Sequence, residues 1–463
     1  MFTVLHNYWR LPDWIAEGTE KYGGGSWGGQ MPGIGLLRGA MISVTTPENV
    51  KYILKDNFSN YEKGAAVRAG LLELLGDGIF TADGPTWKFH RKVASHMFSA
   101  RLMRESTFVA ARYTKRLMEV LRNKALPPSA IEGDQGDNQN LQQNKEAHCQ
   151  VDMQDMYFRL TIDIFTFIAF GEDLKSLEQE QQHAFALAFD EVQRLSERRF
   201  FNPVWRLCKL LRLTASERKI ARGRIIIDEF AQEIIKSRRR DVVTASAVVS
   251  NTNGDADEIA SKLGPDLLTR FLQDAAKKRN ATGEQQGASA ASAQLDDEAH
   301  TGGSDKELRD IVLNFMIAGR DTTACALSWT LFEIARGPPE VRDRLRAEFE
   351  EVFDVPPRPP VTSDGGGVSI DGSSESRAAF MAAVVHVEKQ INFEKVGSMK
   401  YAHAVAQEVL RLHPSVPKDV KFAVKRDVLP DGTNVPPGCS IIYSVCLSTL
   451  THFLACSLLL STL

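Results

Sequence analysis

Three short patterns in the chain carry residue types able to do chemistry. In Ala318-Gly319-Arg320-Asp321-Thr322-Thr323 an acid stands beside a hydroxyl, a pairing suited to holding and passing protons. In DGPTWKFHRKVASHMF, residues 83–98, Trp87 and Arg91 are one helical turn apart, so an indole N–H and a guanidinium could jointly hold a carboxylate or a phosphate. In YAHAVAQEVLRLHPSVP, residues 401–417, Glu408 and Arg411 share one helix face beside an apolar stripe of Ala402, Val405, Val409 and Leu412. Each pattern also has a purely structural reading. The threonines could bond back to carbonyls one turn earlier, Trp87 could be a core residue with Arg91 solvated, and an isolated Glu-x-x-Arg is usually an exposed pair worth a few tenths of a kcal/mol. His90 and His96, six apart, fall on different helix faces and make a poor ligand pair.

The elements that must position these residues are mainly helical. The stretch Glu307–Arg336, about 30 residues and roughly 45 Å at helical rise, is long enough to cross a domain. Gly319 and the two threonines lower helix propensity at its middle, which predicts a bulged turn with carbonyls free for water. Pro85 suits a helix start, and Pro414 stops the helix that carries Glu408 and Arg411. Strand patterns occur at Met41–Val44, Lys421–Val424 and Ser440–Tyr443, the last preceded by the Asp-Gly turn of LPDGTN (429–434). Polar, low-complexity stretches at 124–150, 245–305 and 356–376 read as surface insertions, the second surrounding a short helix-like piece, DLLTRFLQDAAKK.

Composition narrows the function classes. Of 463 residues, 43% are hydrophobic and 25% charged, which excludes a disordered polyelectrolyte and a protein built mainly of membrane spans. The 56 basic residues against 59 acidic ones give a net charge of -3, without the basic excess of a dedicated nucleic-acid binder. Six cysteines, with no Cys-x-x-Cys pair, argue for reduced thiols and against structural zinc. No cationic start followed by an apolar core is visible at the N-terminus, so neither a secretory signal nor an anchor is expected there. The run from Ile441 to Leu463 holds no charged residue and is long enough to span a bilayer, though it includes seven Ser or Thr.

Together, and in this order along nearly the whole chain, the motifs resemble the haem-thiolate monooxygenases called cytochrome P-450, and within them are similar to the fatty-acid omega-hydroxylase branch. The resemblance is carried by TPENVKYILKDNFSNYEKG, GDGIFTADGPTWKFHRK, FIAFGED, DLLTRFL, FMIAGRDTTACALSWTLFEI and QEVLRLHPSVPKDVKFAVKRDVLPDGTNVPPG. It implies a mainly α fold with a small β region, a single domain over 1–463 that is incomplete at its C-terminus. It also implies haem b as cofactor, electrons from NADPH through a reductase, a long-chain lipid substrate, and a place on the cytosolic face of the endoplasmic reticulum membrane. Carried over by position, Ala318 and Gly319 would line an oxygen pocket, and Asp321 and Thr322 would pass protons. Trp87, Arg91 and Lys421 would contact the haem propionates, Glu408 and Arg411 would form a structural pair, and Phe315, Val416 and Val420 would face substrate.

One part of the family pattern is missing. No Phe-x-x-Gly-x-Arg-x-Cys loop occurs, so no residue is assigned as the metal ligand, and Cys439, Cys446 and Cys456 lack the Gly and Arg setting of such a thiolate. The chain therefore reads either as the main part of a lipid hydroxylase or as a catalytically inactive relative that acts through binding or membrane association. No pattern marks a clamp for a substrate carboxylate.

Overall fold

The computed structural model describes residues 17, 18, 21, 26–31, 39–125, 150–201, 204–250, 267–269, 271, 305–355 and 374–444. The chain divides into two compact units, one of Met1–His96, His183–Ala318 and Leu410–Leu463, the other of Met97–Gln182 and Gly319–Val409.

The first unit is built on a five-stranded sheet. Strands β1 (Trp27–Met31), β2 (Gly39–Val44), β3 (Tyr61–Glu62), β4 (Lys418–Ala423) and β7 (Ser440–Ser444) lie in the order β1-β2-β7-β4-β3. β7 runs parallel to β2, with Ile441 opposite Ile42, and antiparallel to β4, with Ile442 opposite Val420. Ile42, Val44, Ala423, Ile441 and Tyr443 form its buried face together with Ile53 and Tyr61. The LPDGTN turn joins β5 (Asp427–Val428) to β6 (Asn434–Val435), with Gly432 at φ +84. The strand paired across that turn is thus β6, and Ser440–Ser444 belongs to the larger sheet.

Two aspartates tie this hairpin to the front of the chain. Asp427 accepts hydrogen bonds from Tyr61 Oη at 2.7 Å, Asn57 Nδ2 at 2.8 Å and Tyr52 Oη at 3.1 Å. Asp431 accepts from buried Asn49 Nδ2 at 2.7 Å. Burial raises both carboxyls, but the hydrogen bonds outweigh it, leaving Asp427 below the usual range and Asp431 at about 2.

Around the sheet lie α1 (Pro47–Lys51), α2 (Gly64–Leu75), α3 (Gly84–Ser95), α6 (Ala184–Glu197), α7 (Trp205–Leu210) and α8 (Ala215–Ser250). α6 and α8 cross closely, with Phe185 stacked on Phe230 at 4.0 Å and no space for a side chain at Gly223, whose Cβ would meet Val192 at 2.6 Å. α8 continues through 245–250, so this part of the expected 245–305 insertion is helical; Leu267, Leu268 and Phe271 are buried. Thr269 is buried as well and Asp305 opens the next helix, while the rest of that stretch lies outside the described residues, as do 126–149 and 356–373.

The second unit contains α4 (Ala100–Ala125), α5 (Met153–Phe170), α10 (Pro339–Val352), α11 (Ser374–Gln390), α12 (Phe393–Ser398) and most of α13 (Lys400–Leu412). Residues 374–376 of the third expected insertion open α11. Asp152 caps α5 by accepting from Asp155 N, and Gly171, at φ 77, ends it. Tyr113 and Leu117 of α4 pack on Met156 and Leu160 of α5.

α9 (Asp305–Arg336) supplies residues to both units. Asp305 and Glu307 in its first turn and Arg336 in its last suit the helix dipole, and Gly337-Pro338 follows its end. The helix is continuous through Gly319 and Thr322, which corrects the bulged turn predicted from propensity. The propensity loss of about 1 kcal/mol at Gly319 is offset by packing, because this position faces the ring of Phe165.

The aspartate ties predict acid sensitivity. An unfolded chain takes up these protons near pH 4, before the folded one does, so the stabilisation is complete above about pH 4 and is lost towards pH 2. Asp427→Ala should lower the free energy of unfolding by about 2–3 kcal/mol in urea titrations at pH 7. A change below about 0.5 kcal/mol would show that the carboxylate does not hold the hairpin.

Candidate functional site

The candidate residues are divided between the two units. In the first, Trp87 lies on α3, whose start is set by the loop after α2. That loop is fastened to α9: Asp310 accepts from Asp77 N at 2.9 Å, and Asn314 accepts from Phe80 N at 3.0 Å while donating to Leu75 O at 2.6 Å. A Cβ at Gly76 would meet the Asp310 carboxyl at 1.9 Å, and one at Gly78 would meet Asn314 at 2.0 Å, so both glycines are needed for this approach.

Trp87 is the centre of a cluster of rings and cations. Phe58 packs on it with ring centroids 5.0 Å apart, Lys63 Nζ stands 5.4 Å over its ring, and Lys421 Nζ stands 5.9 Å over Phe58. Lys63 donates to Ala82 O at 2.6 Å and lies 3.8 Å from Asp83. Lys421, 7% exposed, makes no ion pair with a described residue. Burial first, and then the charge of Lys421, pull the Lys63 ammonium down to about 8. Two cations side by side in a partly dry setting over aromatic faces have the charge and the donors to hold an anion. The structure brings Trp87 and Lys421 into this cluster and leaves Arg91 exposed on α3. Lys63, which sequence reasoning did not single out, joins Trp87 and Lys421 in this cluster. Its only signal was its position just before the glycine of NYEKG, where Gly64 at φ +83 turns the chain into α2.

His90, next on α3, is buried against Phe271 at 6.0 Å, and Phe271 in turn contacts Phe315 at 6.3 Å. Burial holds the His90 imidazole below its usual range, in keeping with a core residue. Phe315 is half-buried, Val420 is half-buried on β4, and Val416 is 55% exposed.

In the second unit, the middle of α9 packs against α5. A Cβ on Gly319 would meet Phe165 at 1.8 Å. Arg320, 2% exposed, places its guanidinium 4.9 Å over Phe158 and its carbonyl oxygen accepts from Thr161 Oγ1 at 3.0 Å. Arg320 Nη1 is 3.3 Å from Asp321 Oδ1, so the acid expected to carry protons is held by its neighbour. Thr322 is half-buried beside it, and Ala318, also half-buried, is the last residue of the first unit. The pairing by Arg320 had no signal in the sequence, because an arginine inside an apolar helix shows neither its burial nor its partner.

Glu408 and Arg411 are both half-buried on α13. The start of α13 is set by Glu348 of α10, whose carboxylate accepts from Tyr401 N at 2.7 Å and Ala402 N at 2.8 Å, an anion at a helix N-terminus. Among the described cysteines, Cys439 is buried, and burial pushes its thiol up to about 11. Burial also raises Cys325, the first of its causes, so neither is poised as a thiolate.

The family model described as Cytochrome P450 matches residues 20–364 and 379–451. Similar proteins include Cytochrome P450 704B1 of Arabidopsis thaliana, 30% identical over 442 residues that cover 95% of this chain and 73% of the relative. Cytochrome P450 monooxygenase cyp1 of Mycosarcoma maydis is 32% identical over 429 residues, 92% of this chain and 54% of the relative. Cytochrome P450 86B1 of Arabidopsis thaliana is 31% identical over 402 residues, 86% of this chain and 59% of the relative. The chain therefore spans well under the full length of these proteins. The solved structure of the cytochrome P450DA heme domain shares the fold, with a TM-score of 0.57 at 18% identity, covering 95% of this chain and 72% of that one.

The contact at Gly319 sets a measurable constraint. Gly319→Ala should cost about 1–3 kcal/mol in thermal or urea unfolding, because the added methyl must push Phe165 or the helix aside. A neutral or stabilising result, as expected of Ala in a freely exposed helix, would contradict the close packing.

Proposed function

The chain belongs to the cytochrome P-450 family, and we propose that it acts as a haem-dependent monooxygenase on long-chain fatty acids or similar lipids at a membrane surface. The observation that carries this reading is the pair of lysines, Lys63 and Lys421, held over Trp87 and Phe58 in the first unit. The family's prosthetic group is haem, which bears two carboxylates, and two cations beside an indole N–H fit such groups. When bound, haem supplies the activation of dioxygen that lets one oxygen atom enter a C–H bond.

The remaining roles belong to this chain's own side chains. Lys63, Lys421 and Trp87 bind the carboxylates. Asp321, oriented by Arg320, and the hydroxyl of Thr322 hold and pass protons. Phe315, Val416 and Val420 offer an apolar surface to substrate. The lipid class rests on the resemblance of the sequence motifs to the fatty-acid hydroxylase branch, and electron supply by an NADPH-dependent reductase rests on the family.

A membrane surface is supported by one patch. Val204, Leu207, Leu210, Leu211 and Leu213 are all more than half exposed, Leu210 at 78%, and Arg206, Lys209 and Arg212 lie among them. Exposed leucines beside basic residues suit the boundary between acyl chains and anionic headgroups. No described helix is long and apolar enough to cross a membrane. The proposed location is the cytosolic face of the endoplasmic reticulum, with the patch lying in the interface.

A second reading is favoured by the thiols. Burial keeps Cys439 and Cys325 protonated in the chain without a metal, and in this reading the chain binds haem or lipid without catalysis. Haemin titration tests the first reading without relying on activity. Lys63→Met with Lys421→Met should weaken haemin binding at least tenfold, read by quenching of tryptophan fluorescence, and should leave binding of haemin dimethyl ester unchanged. Equal loss for both ligands would remove the carboxylate seat. A thiolate-type spectrum of the reduced carbon monoxide complex supports catalysis, and haemin binding without that spectrum supports the second reading. For the membrane, Leu210→Asp with Leu211→Asp should reduce co-sedimentation with anionic phospholipid vesicles at least tenfold, and unchanged sedimentation would exclude this patch as the contact.

A further inference from the structure

Three cations lie among the exposed leucines of residues 204–213, and they are not alike. Arg206 stacks over Trp205 at 5.7 Å, and neither it nor Arg212 pairs with an acid among the described residues. Lys209 Nζ, in contrast, lies 2.8 Å from Oε1 of Glu73 on α2 and so ties the patch to another helix of the first unit. The second oxygen of the same carboxylate, Oε2, lies 2.6 Å from Nη1 of Arg199, in the turn before the patch. Arg199 also donates from Nε to Glu217 Oε1 at 3.0 Å and from Nη2 to Glu217 Oε2 at 2.5 Å, at the start of α8, and its guanidinium lies 5.0 Å over Trp205. These four charges are held with unequal firmness. Arg199 and Glu217 are buried in a forked pair, where loss of either partner strands a charge away from water. The Lys209 side chain is 43% exposed, so its pair with Glu73 is of the kind that water and salt weaken. Because Arg199 holds the other oxygen, Glu73 keeps a cation when Lys209 leaves. The pull of an anionic membrane surface on one lysine is of the same order as the strength of an exposed ion pair, so exchange between the two is nearly balanced.

We propose that Lys209 exchanges partners, pairing with Glu73 when the patch is in water and with the phosphate of an anionic phospholipid when the patch lies on a membrane. The exchange releases α7 from α2, while Arg199 and Glu217 keep the base of the segment in place. This rests on the membrane reading of the patch given above, and it adds Glu73 as the residue that sets how strongly an anionic surface is preferred over a neutral one. An acid inside the protein that competes for a cation of the patch lowers the affinity for anionic lipid, so removing that acid strengthens it.

The test is co-sedimentation of the full chain with vesicles of phosphatidylcholine alone and of phosphatidylcholine mixed with phosphatidylserine. Glu73→Gln removes the competing charge, and Glu73→Asp keeps a charge beside Arg199 but shortens its reach to Lys209. Both should tighten binding to the serine-containing vesicles about threefold and leave binding to phosphatidylcholine unchanged. Lys209→Met should weaken binding to the serine-containing vesicles about threefold, and adding Glu73→Gln to it should change nothing further. Unchanged binding in the Glu73 variants, or an equal gain when Lys209 is already Met, overturns the exchange. So does unchanged anionic binding in Lys209→Met, whether or not the Glu73 variants fold. Those results leave the membrane patch standing if the unmodified chain still binds vesicles through Leu210 and Leu211. Binding of neither vesicle by the unmodified chain takes down the patch and this inference with it.

Discussion

Asp310 and Asn314 are buried on α9, and a buried polar group left without a partner costs a few kcal/mol. Both find partners in the backbone of residues 75–80, and much of the first unit follows from that. The loop can come close enough only because Gly76 and Gly78 lack a Cβ. Once fastened, it fixes where α3 begins and therefore where Trp87 stands against Phe58 and Lys63. Arg309 extends the same attachment by donating to Glu73 O and Asp228. Polar pairing here does the work of alignment that apolar packing, which tolerates sliding, does less well.

The cluster that this alignment produces is electrostatically unfavourable by itself. Lys63 lies 3.8 Å from Asp83 and also feels the charge of Asp419, yet burial and the charge of Lys421 still pull its ammonium down. A site arranged solely for stability would have placed acids there or removed one lysine. Like charges kept together at a cost are the feature on which the proposed anion seat rests. The middle of α9 shows the complementary case, in which opposite charges meet, Arg320 Nη1 lying 3.3 Å from Asp321 Oδ1, and the ring of Phe158 covers the guanidinium.

Much of this arrangement was legible in the residues. The helices carrying Trp87, Asp321 and Glu408 follow from periodicity and proline placement, and the segments around residues 41–44, 421–424 and 440–443 are strands as their composition suggests. What could not be read has a common physical origin. Lys63, Arg320, Glu348 and Asn314 act through single contacts to partners far away in sequence, and one polar residue in a helix or loop leaves no periodic trace. Local propensity misled at Gly319, where a tertiary contact with Phe165 outweighed the preference for a break. The turn at LPDGTN was recognisable, but which strand it paired depended on the sheet as a whole.

The order of the sheet also has a temporal consequence. β2 lies beside β7, and Asn49 bonds with Asp431 across 382 positions of sequence. During synthesis at about 5–20 residues per second, the early strands emerge and then wait on the order of 20–80 seconds for the strands that complete them. Through that interval Ile42 and Val44 have no permanent cover, and an unpaired apolar edge invites association with other nascent chains. Shelter of that edge until the later strands arrive is thus a demand that the order of the sheet places on folding during synthesis.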